Sequence, residues 1–385
     1  MKSIFLIDGC NFTDYPIGGQ LSFCSQLLDT FPDNYFKLVG LSTCSDDIIG
    51  IWQKKTINNK SYDFFPVYFT IKKTSKGLIP DRLRFYFLLL KYKNKLFNNF
   101  DEIHLFTHAP ETILALKIKT SNIKVLHFLH GVENPLENPR FKWGKLVSSI
   151  FWKMFVKKLK QTDHIAAAAD TNNINKFKSK NKLSNKIDFF PTRYNDTIFK
   201  SYNHDKIKTP TFVYCGRISL IKGWKLLIQS FIYYLNNFGN AQLIIIGDGE
   251  DKNKLKKIIN MNNISKNVTI TGFIKEKEVV IWLNRSNVFV LPSFKEGWPI
   301  AILEALGCGL PIVSTNISGA DQLIRENING FIVKSRDKIA LAHAMNKALN
   351  LKSPNKISLE IAANYLQSGI KNSLLDMYPK FFEQN

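Results

Sequence analysis

The chain has 385 residues and a formal net charge of +22, with 53 lysine and arginine residues against 31 acidic ones. One hydrophobic core stops growing near about 250 to 300 residues, so we expect two domains. No stretch reaches the roughly 18 to 20 apolar residues of a membrane-spanning helix, and the N-terminal run SIFLI is too short for a secretion signal. Five cysteines without a C-x-x-C pair argue against a disulfide framework or a zinc knuckle. We therefore expect a cytoplasmic protein with free thiols.

Two segments of the first half, residues 72–95 and 140–160, interleave basic with aromatic residues. Such a pattern is typical of an interfacial helix that binds anionic lipid, which would make the protein peripheral on the inner face of the cell membrane. The alternative is an amphipathic core helix with a solvated lysine face, and part of the lysine excess can also reflect an AT-rich genome. No recognition motif supports nucleic acid, so we expect an anionic membrane surface and no nucleic acid as partners.

Short apolar runs alternate with helix-compatible sequence along the whole chain, which is the pattern of parallel β/α units. The predicted strands are residues 3–7, 35–41, 102–107, 124–130 and 164–169, then 211–216, 241–249, 268–273, 288–293 and 311–315. A polar Lys/Asn-rich stretch at 181–211 predicts the linker. We expect an N-terminal Rossmann-like domain at 1–195 and a C-terminal one at 205–360. A C-terminal helix at 361–385 should pack back on the first.

Two glutamates flank the start of one predicted helix in the second half. Glu296 follows the strand at 288–293, Pro299 suits the first helical turn, and Glu304 lies within the helix. Open α/β sheets bind ligands at the carboxyl ends of their strands, and a carboxylate can accept hydrogen bonds from two neighbouring hydroxyls. A solvent-facing helix position, the usual alternative, fits Glu304 poorly because its sequence neighbours are apolar. One glutamate can hold a sugar and the other a ribose.

Two small-residue turns in the same half follow strands and precede helices. The turn from Gly216 to Gly223 contains Arg217 and Lys222, and arginine can fork onto phosphate oxygens while lysine adds a point charge. The second turn, residues 316–321, offers backbone N–H groups at a helix start. Either basic residue alone would more often be a solvated surface group. Together with the turns, they predict a diphosphate site that stabilises a leaving group without a metal.

These motifs, in this order, resemble glycosyltransferase family 4, retaining enzymes of the GT-B fold in which two Rossmann-like parallel-sheet domains face a central cleft. The resemblance is close over residues 210–335. It rests on Gly216-Arg217, Lys222-Gly223, Gly247-Asp248-Gly249, Gly272, Glu296, Glu304, Gly309-x-Pro311, Gly319 and Asn329-Gly330. The first half matches more loosely, through Gly18-Gly19 after the first strand and His130-Gly131 after the strand at 124–130. Departures, such as Asp170 where serine is common, affect only the hinge and the phosphate loop.

The resemblance implies that the domain at 1–195 binds the acceptor and that the domain at 205–360 binds the nucleotide sugar. It also implies a role for each matched residue. The implied catalytic residues are Glu296, His130, Arg217 and Lys222, and the implied substrate-binding residues are Gly18, Gly19, Gly216, Gly247, Glu304, Ser318, Gly319, Ala320 and Trp298. Arg217 and Lys222 would bind the donor diphosphate, and Glu296 and His130 the transferred sugar. Trp298 either stacks on the donor or fills the core. His127 competes with His130, and we expect strand alternation to place both on one face with His130 nearer the strand end.

The expected reaction moves a hexose or N-acetylhexosamine from a UDP- or GDP-linked NDP-sugar to a hydroxyl of a lipid-linked or oligosaccharide acceptor. The resemblance implies retention of the anomeric configuration, and we expect neither a metal site nor a cofactor. Such an enzyme would act in bacterial surface-polysaccharide assembly, for example of lipopolysaccharide O-antigen. The alternatives are a nucleotide-sugar epimerase of the same fold and a nonenzymatic basic membrane adaptor. The adaptor would not require Arg217, Lys222, Glu296 and Glu304 to converge.

Overall fold

The computed structural model describes residues 2–16, 19–71, 81–116, 122–132, 134, 144–183, 186–202, 206–334 and 336–383, with residues 144–147 described by their backbone alone. The chain divides into two compact units. Unit 1 comprises Met1–Pro191 and Gly369–Asn385, and unit 2 comprises Thr192–Ser368. Each unit has a sheet of its own. No helix in these described ranges has the length and apolar character needed to cross a bilayer.

The described part of unit 1 contains an eight-stranded sheet in the order β3-β4-β2-β1-β5-β6-β7-β8, parallel except for the antiparallel β3–β4 pair. Its strands are β1 (Lys2–Ile7), β2 (Phe36–Ser42), β3 (Gln53–Ile57), β4 (Lys60–Phe69), β5 (Glu102–Thr107), β6 (Ile123–Leu129), β7 (His164–Ala167) and β8 (Ile187–Phe189). The helices between them are α1 (Gly19–Thr30), α2 (Asp81–Phe97), α3 (Pro110–Ala115), α4 (Gly144–Leu159) and α5 (Thr171–Asn181).

The central strand β1 explains why the sequence shows continuous apolar runs rather than alternation. Its residues from Ile4 to Ile7 are each at most 1% exposed, so both faces of the strand are covered. The β3–β4 hairpin was not predicted because β3, with the sequence QKKTI, has no apolar run. Its turn residues Asn58 and Asn59 both have positive φ angles, of 48° and 63°, as tight two-residue hairpins require.

The described part of unit 2 contains a six-stranded, fully parallel sheet in the order β11-β10-β9-β12-β13-β14. Its strands are β9 (Thr211–Cys215), β10 (Gln242–Ile246), β11 (Val268–Gly272), β12 (Val288–Leu291), β13 (Ile312–Thr315) and β14 (Gly330–Val333). Its helices are α6 (Trp224–Asn237), α7 (Lys252–Met261), α8 (Glu276–Arg285), α9 (Ile300–Gly307), α10 (Ala320–Leu323), α11 (Lys338–Leu349) and α12 (Pro354–Ala362). All the strands predicted for this half are present, and β14 was missed.

The chain ends with two helices that belong to unit 1, α13 (Ile370–Met377) and α14 (Pro379–Phe382). The carbonyl of Phe381 lies 2.9 Å from Nδ1 of His104 in β5, and the Tyr378 hydroxyl donates to Asp188 in β8 at 3.0 Å. The stretch predicted as a linker, 181–211, contains β8, which is a strand of the first sheet. The structural division falls after Pro191 and after Ser368.

Candidate functional site

Four loops meet at the carboxyl edge of the unit 2 sheet, after β9, β10, β12 and β13. The N–H of Phe294, after β12, donates to the carbonyl of Ile221, after β9, at 2.8 Å. The N–H of Ile218 donates to the carbonyl of Asp248, after β10, at 2.9 Å. Thr315 at the end of β13 donates its hydroxyl to the carbonyl of Ser293. Parallel strands that are neighbours in the sheet thus bring distant sequence motifs into one place.

An ion pair between Lys222 and Glu296 lies at the centre of this edge. Nζ of Lys222 donates to both carboxylate oxygens of Glu296, at 2.7 and 2.8 Å. The Glu296 side chain is only 11% exposed and that of Lys222 is 30% exposed. A carboxylate so shielded from water needs the ammonium group beside it, since an unpaired buried charge is strongly unfavourable. The two residues are therefore held together before any ligand binds.

The loop that carries Lys222 is fixed by a glycine directly after it. Gly223 has φ +74°, and a Cβ at this position would stand 1.9 Å from the carbonyl oxygen of Pro292. Only glycine permits this approach of two backbones. The close contact joins the loop after β9 to the loop after β12, and so places Lys222 next to Glu296.

Trp298 supports the small-residue turn after β13. A Cβ on Gly319, which has φ +79°, would lie 2.6 Å from the Trp298 ring. The indole is 6% exposed and its centroid lies 5.6 Å from that of Tyr365. This position indicates packing beneath the turn of Ser318, Gly319 and Ala320, the second of the two interpretations of the sequence.

The residues of the β9 loop that were predicted to bind phosphate also lie at this edge. Arg217 is exposed, and its carbonyl accepts a hydrogen bond from the Tyr214 hydroxyl at 2.8 Å. Gly247 approaches Gly216 so closely that a Cβ on Gly247 would lie 2.1 Å from the carbonyl oxygen of Gly216. The two glycines therefore set the spacing of the β9 and β10 loops, and the side chain of Arg217 remains exposed to solvent.

Glu304 lies on α9, where burial raises the pKa of its carboxyl group to about 8, and the negative charge of Glu276 adds to the rise. Both Glu304 and Lys222 act electrostatically on the Cys215 thiol at the end of β9. Glu304 thus lies near the end of β9. Without a ligand it is mainly protonated at neutral pH, because burial disfavours its charged form.

In unit 1, His130 follows β6 and His108 follows the neighbouring strand β5. Nδ1 of His108 lies 3.2 Å from Nε2 of His130, and the two rings stack with centroids 5.4 Å apart. Phe23 meets His130 edge to face at 5.7 Å. Burial is the main reason that the pKa of His130 falls to about 3, with the charge of Arg82 contributing. His108 was missed, although it directly follows the predicted strand at 102–107.

The expectation that His127 and His130 share one strand face is wrong. The His127 ring packs on Phe155 of α4 and hydrogen-bonds through Nδ1 with Thr107 at 2.7 Å, whereas His130 contacts Phe23 of α1. The two positions differ by three, an odd number, so the pleat turns them to opposite faces. Gly19 begins α1, where a Cβ would meet open space, and Gly18 lies outside the described residues.

One group of side chains in the described ranges could hold a metal ion. Asp8, Cys10 and Cys24 are buried, and one ligand atom from each lies within 4.8 Å of the others. This cluster was not predicted from the sequence because its members have no metal-ligand spacing. Burial raises the pKa of both thiols and raises that of Asp8 to about 7. Without an ion, burial therefore favours the protonated forms of these side chains.

The two α/β units, each with a largely parallel sheet, define a GT-B type of protein. The solved structure of the sucrose-phosphate synthase of Thermosynechococcus elongatus superposes on this chain with a TM-score of 0.75, at 15% identity, over 99% of both chains. At that identity the likeness shows the fold alone, and it confirms the predicted fold class.

Residues 195–364 match the family model "Glycosyl transferases group 1". An uncharacterized glycosyltransferase of Methanocaldococcus jannaschii is 35% identical over 38% of this chain and 38% of its own length. The UDP-Gal:alpha-D-GlcNAc-diphosphoundecaprenol alpha-1,3-galactosyltransferase of Escherichia coli is 32% identical over 39% of this chain and 41% of its own. The matched part thus spans about two fifths of these relatives. Residues 195–364 thus match a group 1 glycosyltransferase domain, which supports the predicted enzyme class.

Proposed function

We propose that the protein transfers a sugar from a nucleoside-diphosphate sugar to a hydroxyl of a lipid-linked glycan. The observation that carries the proposal is the Lys222–Glu296 pair with Arg217 on the loop beside it, at the carboxyl edge of a parallel sheet. Cations suit the diphosphate and a fixed carboxylate suits the hydroxyls of a sugar. An adaptor without enzymatic activity would not need these groups together, and the matched domain favours a transferase over an epimerase.

The charges fit the change that occurs during transfer. As the bond between the anomeric carbon and the diphosphate oxygen breaks, positive charge grows on the sugar and negative charge on the phosphate. Lys222, Arg217 and the backbone N–H groups of the turn at 318–320 would stabilise the phosphate without a metal ion. Glu296 would orient the sugar, and the departing phosphate would take the acceptor's proton. Retention of the anomeric configuration rests on the family 4 resemblance.

The acceptor is proposed from a relative and from the surface of unit 1. The Escherichia coli relative is named for UDP-galactose as its donor and a polyprenyl-diphosphate-linked sugar as its acceptor. We therefore propose a UDP-linked hexose or N-acetylhexosamine as the first donor to test. The test is release of nucleoside diphosphate from UDP- and GDP-sugars in the presence of polyprenyl-diphosphate-linked N-acetylglucosamine. Release that depends on this acceptor supports the proposal, and its absence with every donor contradicts it.

Nucleotide binding should become stronger as the pH rises towards about 8, by up to tenfold per pH unit. Ribose hydroxyls donate hydrogen bonds to a carboxylate, so binding favours ionised Glu304, whose pKa in the free protein is about 8. Each nucleotide bound below that pH therefore releases a proton. Calorimetry of nucleoside diphosphate in buffers of different ionisation enthalpy measures the release.

Glu304→Gln is the matched control, because it keeps the shape and removes the titration. We expect no Glu304-linked proton release in this variant. It should also unfold at a higher temperature at about pH 8, because wild-type Glu304 holds its proton when folded and loses it near pH 4.5 when unfolded. The stabilising contribution of protonated Glu304 in the wild type is present at low pH and disappears as the pH rises through its folded pKa. Equal proton release in both proteins would exclude Glu304 as the ribose ligand.

Two helices of unit 1 expose apolar and basic side chains side by side. On α4, Ile150 is 62% and Met154 is 50% exposed, with the exposed Lys153 and Lys157 on the same helix face. On α2, Phe87 is 61% exposed. An apolar stripe bordered by lysines matches the headgroup region of an anionic bilayer. We propose this α4 face as the membrane contact that brings the enzyme to its acceptor.

Reversing three charges of α4 should release the protein from anionic vesicles. Each basic charge near such a surface contributes about 1 kcal/mol, so Lys153→Glu, Lys157→Glu and Lys158→Glu together should weaken binding at least ~100-fold. The control carries the same charge change at exposed lysines of unit 2, Lys256→Glu, Lys257→Glu and Lys266→Glu. Co-sedimentation with phosphatidylglycerol vesicles measures both. Equal loss in the two variants would show a general charge effect and contradict the α4 assignment.

A further inference from the structure

The contact between His108 and His130 raises a question that the proposed function leaves open, namely which nitrogen of His130 carries its proton. His108 is 3% exposed, and its Nδ1 lies 3.2 Å from Nε2 of His130. One of these nitrogens donates and the other accepts. The choice decides whether His130 offers an N–H or a lone pair through its remaining nitrogen, Nδ1.

The surroundings of His108 decide which of the two nitrogens donates the hydrogen bond. Its Nε2 is buried and has no hydrogen-bond partner among the described residues. A buried N–H without a partner is rarer in proteins than a buried acceptor without one, because the unmade donor bond is more unfavourable. The proton of His108 therefore belongs on Nδ1, from which it is donated to His130. Nε2 of His130 is then an acceptor, and its own proton must be on Nδ1.

Both rings stay neutral over the working range. Burial lowers the pKa of His108 well below its ordinary value, and that of His130 to about 3. Aromatic rings hold the pair in place, with Phe128 at 4.8 Å from His130 and Phe106 at 5.1 Å from His108 between centroids. Burial and the charge of Arg82 both disfavour a second proton on His130. The pair therefore has one donor, Nδ1 of His108, one acceptor, Nε2 of His130, and an N–H at Nδ1 of His130.

We propose that His108 is a positioning residue that fixes His130 as the neutral Nδ1–H tautomer, so that His130 offers an N–H, and not a lone pair, to a hydroxyl oxygen of a substrate. The contact with a substrate rests on the proposed function, whereas the tautomer does not.

The tautomer is measured first, by imidazole ¹⁵N spectra of the full chain without ligand, with His130 assigned by the loss of its signals in His130→Gln. We expect the Nδ1–H signature in the wild type. His108→Phe keeps an aromatic ring but removes the donor, and it should shift His130 to the Nε2–H form. His108→Asn places an amide N–H where Nδ1 stood and should restore the Nδ1–H form. An Nε2–H signature in the wild type, or no change in His108→Phe, overturns the proposal.

Turnover separates this proposal from the proposed function. His108→Phe should lower kcat roughly tenfold with little change in KM, and His108→Asn should recover most of the loss. His127→Phe is the matched control, since His127 is equally buried but bonds to Thr107 instead. It should keep the tautomer of His130 and a kcat within about twofold of wild type. The expected spectra without turnover on any nucleotide sugar would reject the function and leave the tautomer assignment standing. Equal kcat loss in His127→Phe and His108→Phe would overturn the positioning role.

Discussion

Glu296→Gln should lower kcat by about 10²-fold or more, the largest effect we expect from one isosteric change. The glutamine keeps the size of the side chain but loses the negative charge that Lys222 contacts at 2.7 and 2.8 Å. A carboxylate fixed next to the sugar stabilises the positive charge of the transition state more than it stabilises the ground state. The loss should therefore appear in kcat rather than in KM. Steady-state assays of nucleoside diphosphate release measure both.

The control for this change is Glu360→Gln, at an exposed position of α12 in the same unit. It should leave kcat and the unfolding temperature near wild type. Glu296→Gln should also stay folded, because glutamine can still accept a hydrogen bond from Lys222. Wild-type turnover in a folded Glu296→Gln protein would remove Glu296 from the proposed site.

Lys222→Gln should lower kcat/KM by roughly 10²- to 10³-fold, because it removes a cation from the place proposed for the departing diphosphate. It also leaves Glu296, only 11% exposed, without its counter-charge. Since the two residues act as a pair, the double variant Lys222→Gln with Glu296→Gln should lose little more than the worse single variant. Measuring kcat/KM for all four proteins gives the coupling between them.

Lys252→Gln is the matched control, as Lys252 forms an ion pair with Asp248 at 2.5 Å in the neighbouring loop. Its activity should stay near wild type, because exposed ion pairs contribute little. If the effects of the Lys222 and Glu296 changes simply multiply in the double variant, the two residues do not work as one unit.

The sequence predicted most of the second sheet because buried parallel strands are continuous apolar runs. All four residues of β12 are at most 2% exposed, and its run VFVL is visible without any structure. Two of the missed strands, β3 and β8, lack such a run, whereas β4 and β14 were missed although they contain the apolar runs FFPVYF and FIV. β3 is mostly lysine and polar residues at a sheet edge, and β8 has only three residues. Edge strands need fewer apolar residues, so composition identifies them poorly.

The candidate site was only partly visible in the sequence. Turn motifs pointed to Arg217, Lys222 and Glu296, because glycine turns and charged residues at the carboxyl ends of strands in open sheets commonly bind ligands. The pairing of Lys222 with Glu296 could not be predicted, since it depends on the approach of Gly223 to Pro292. The His108–His130 contact likewise depends on the pairing of β5 with β6, in which Thr107 aligns with His127.

The central claim is a nucleoside-diphosphate-sugar site at the carboxyl edge of the unit 2 sheet. The most direct measurement is calorimetric titration of wild type and Arg217→Ala with UDP-, GDP-, ADP- and TDP-sugars, without added metal. We expect one nucleotide class to bind the wild type and to bind Arg217→Ala much more weakly, because the exposed Arg217 would fork onto the diphosphate. Binding of none of these sugars, or equal binding to both proteins, would contradict the assignment of this edge as the donor site.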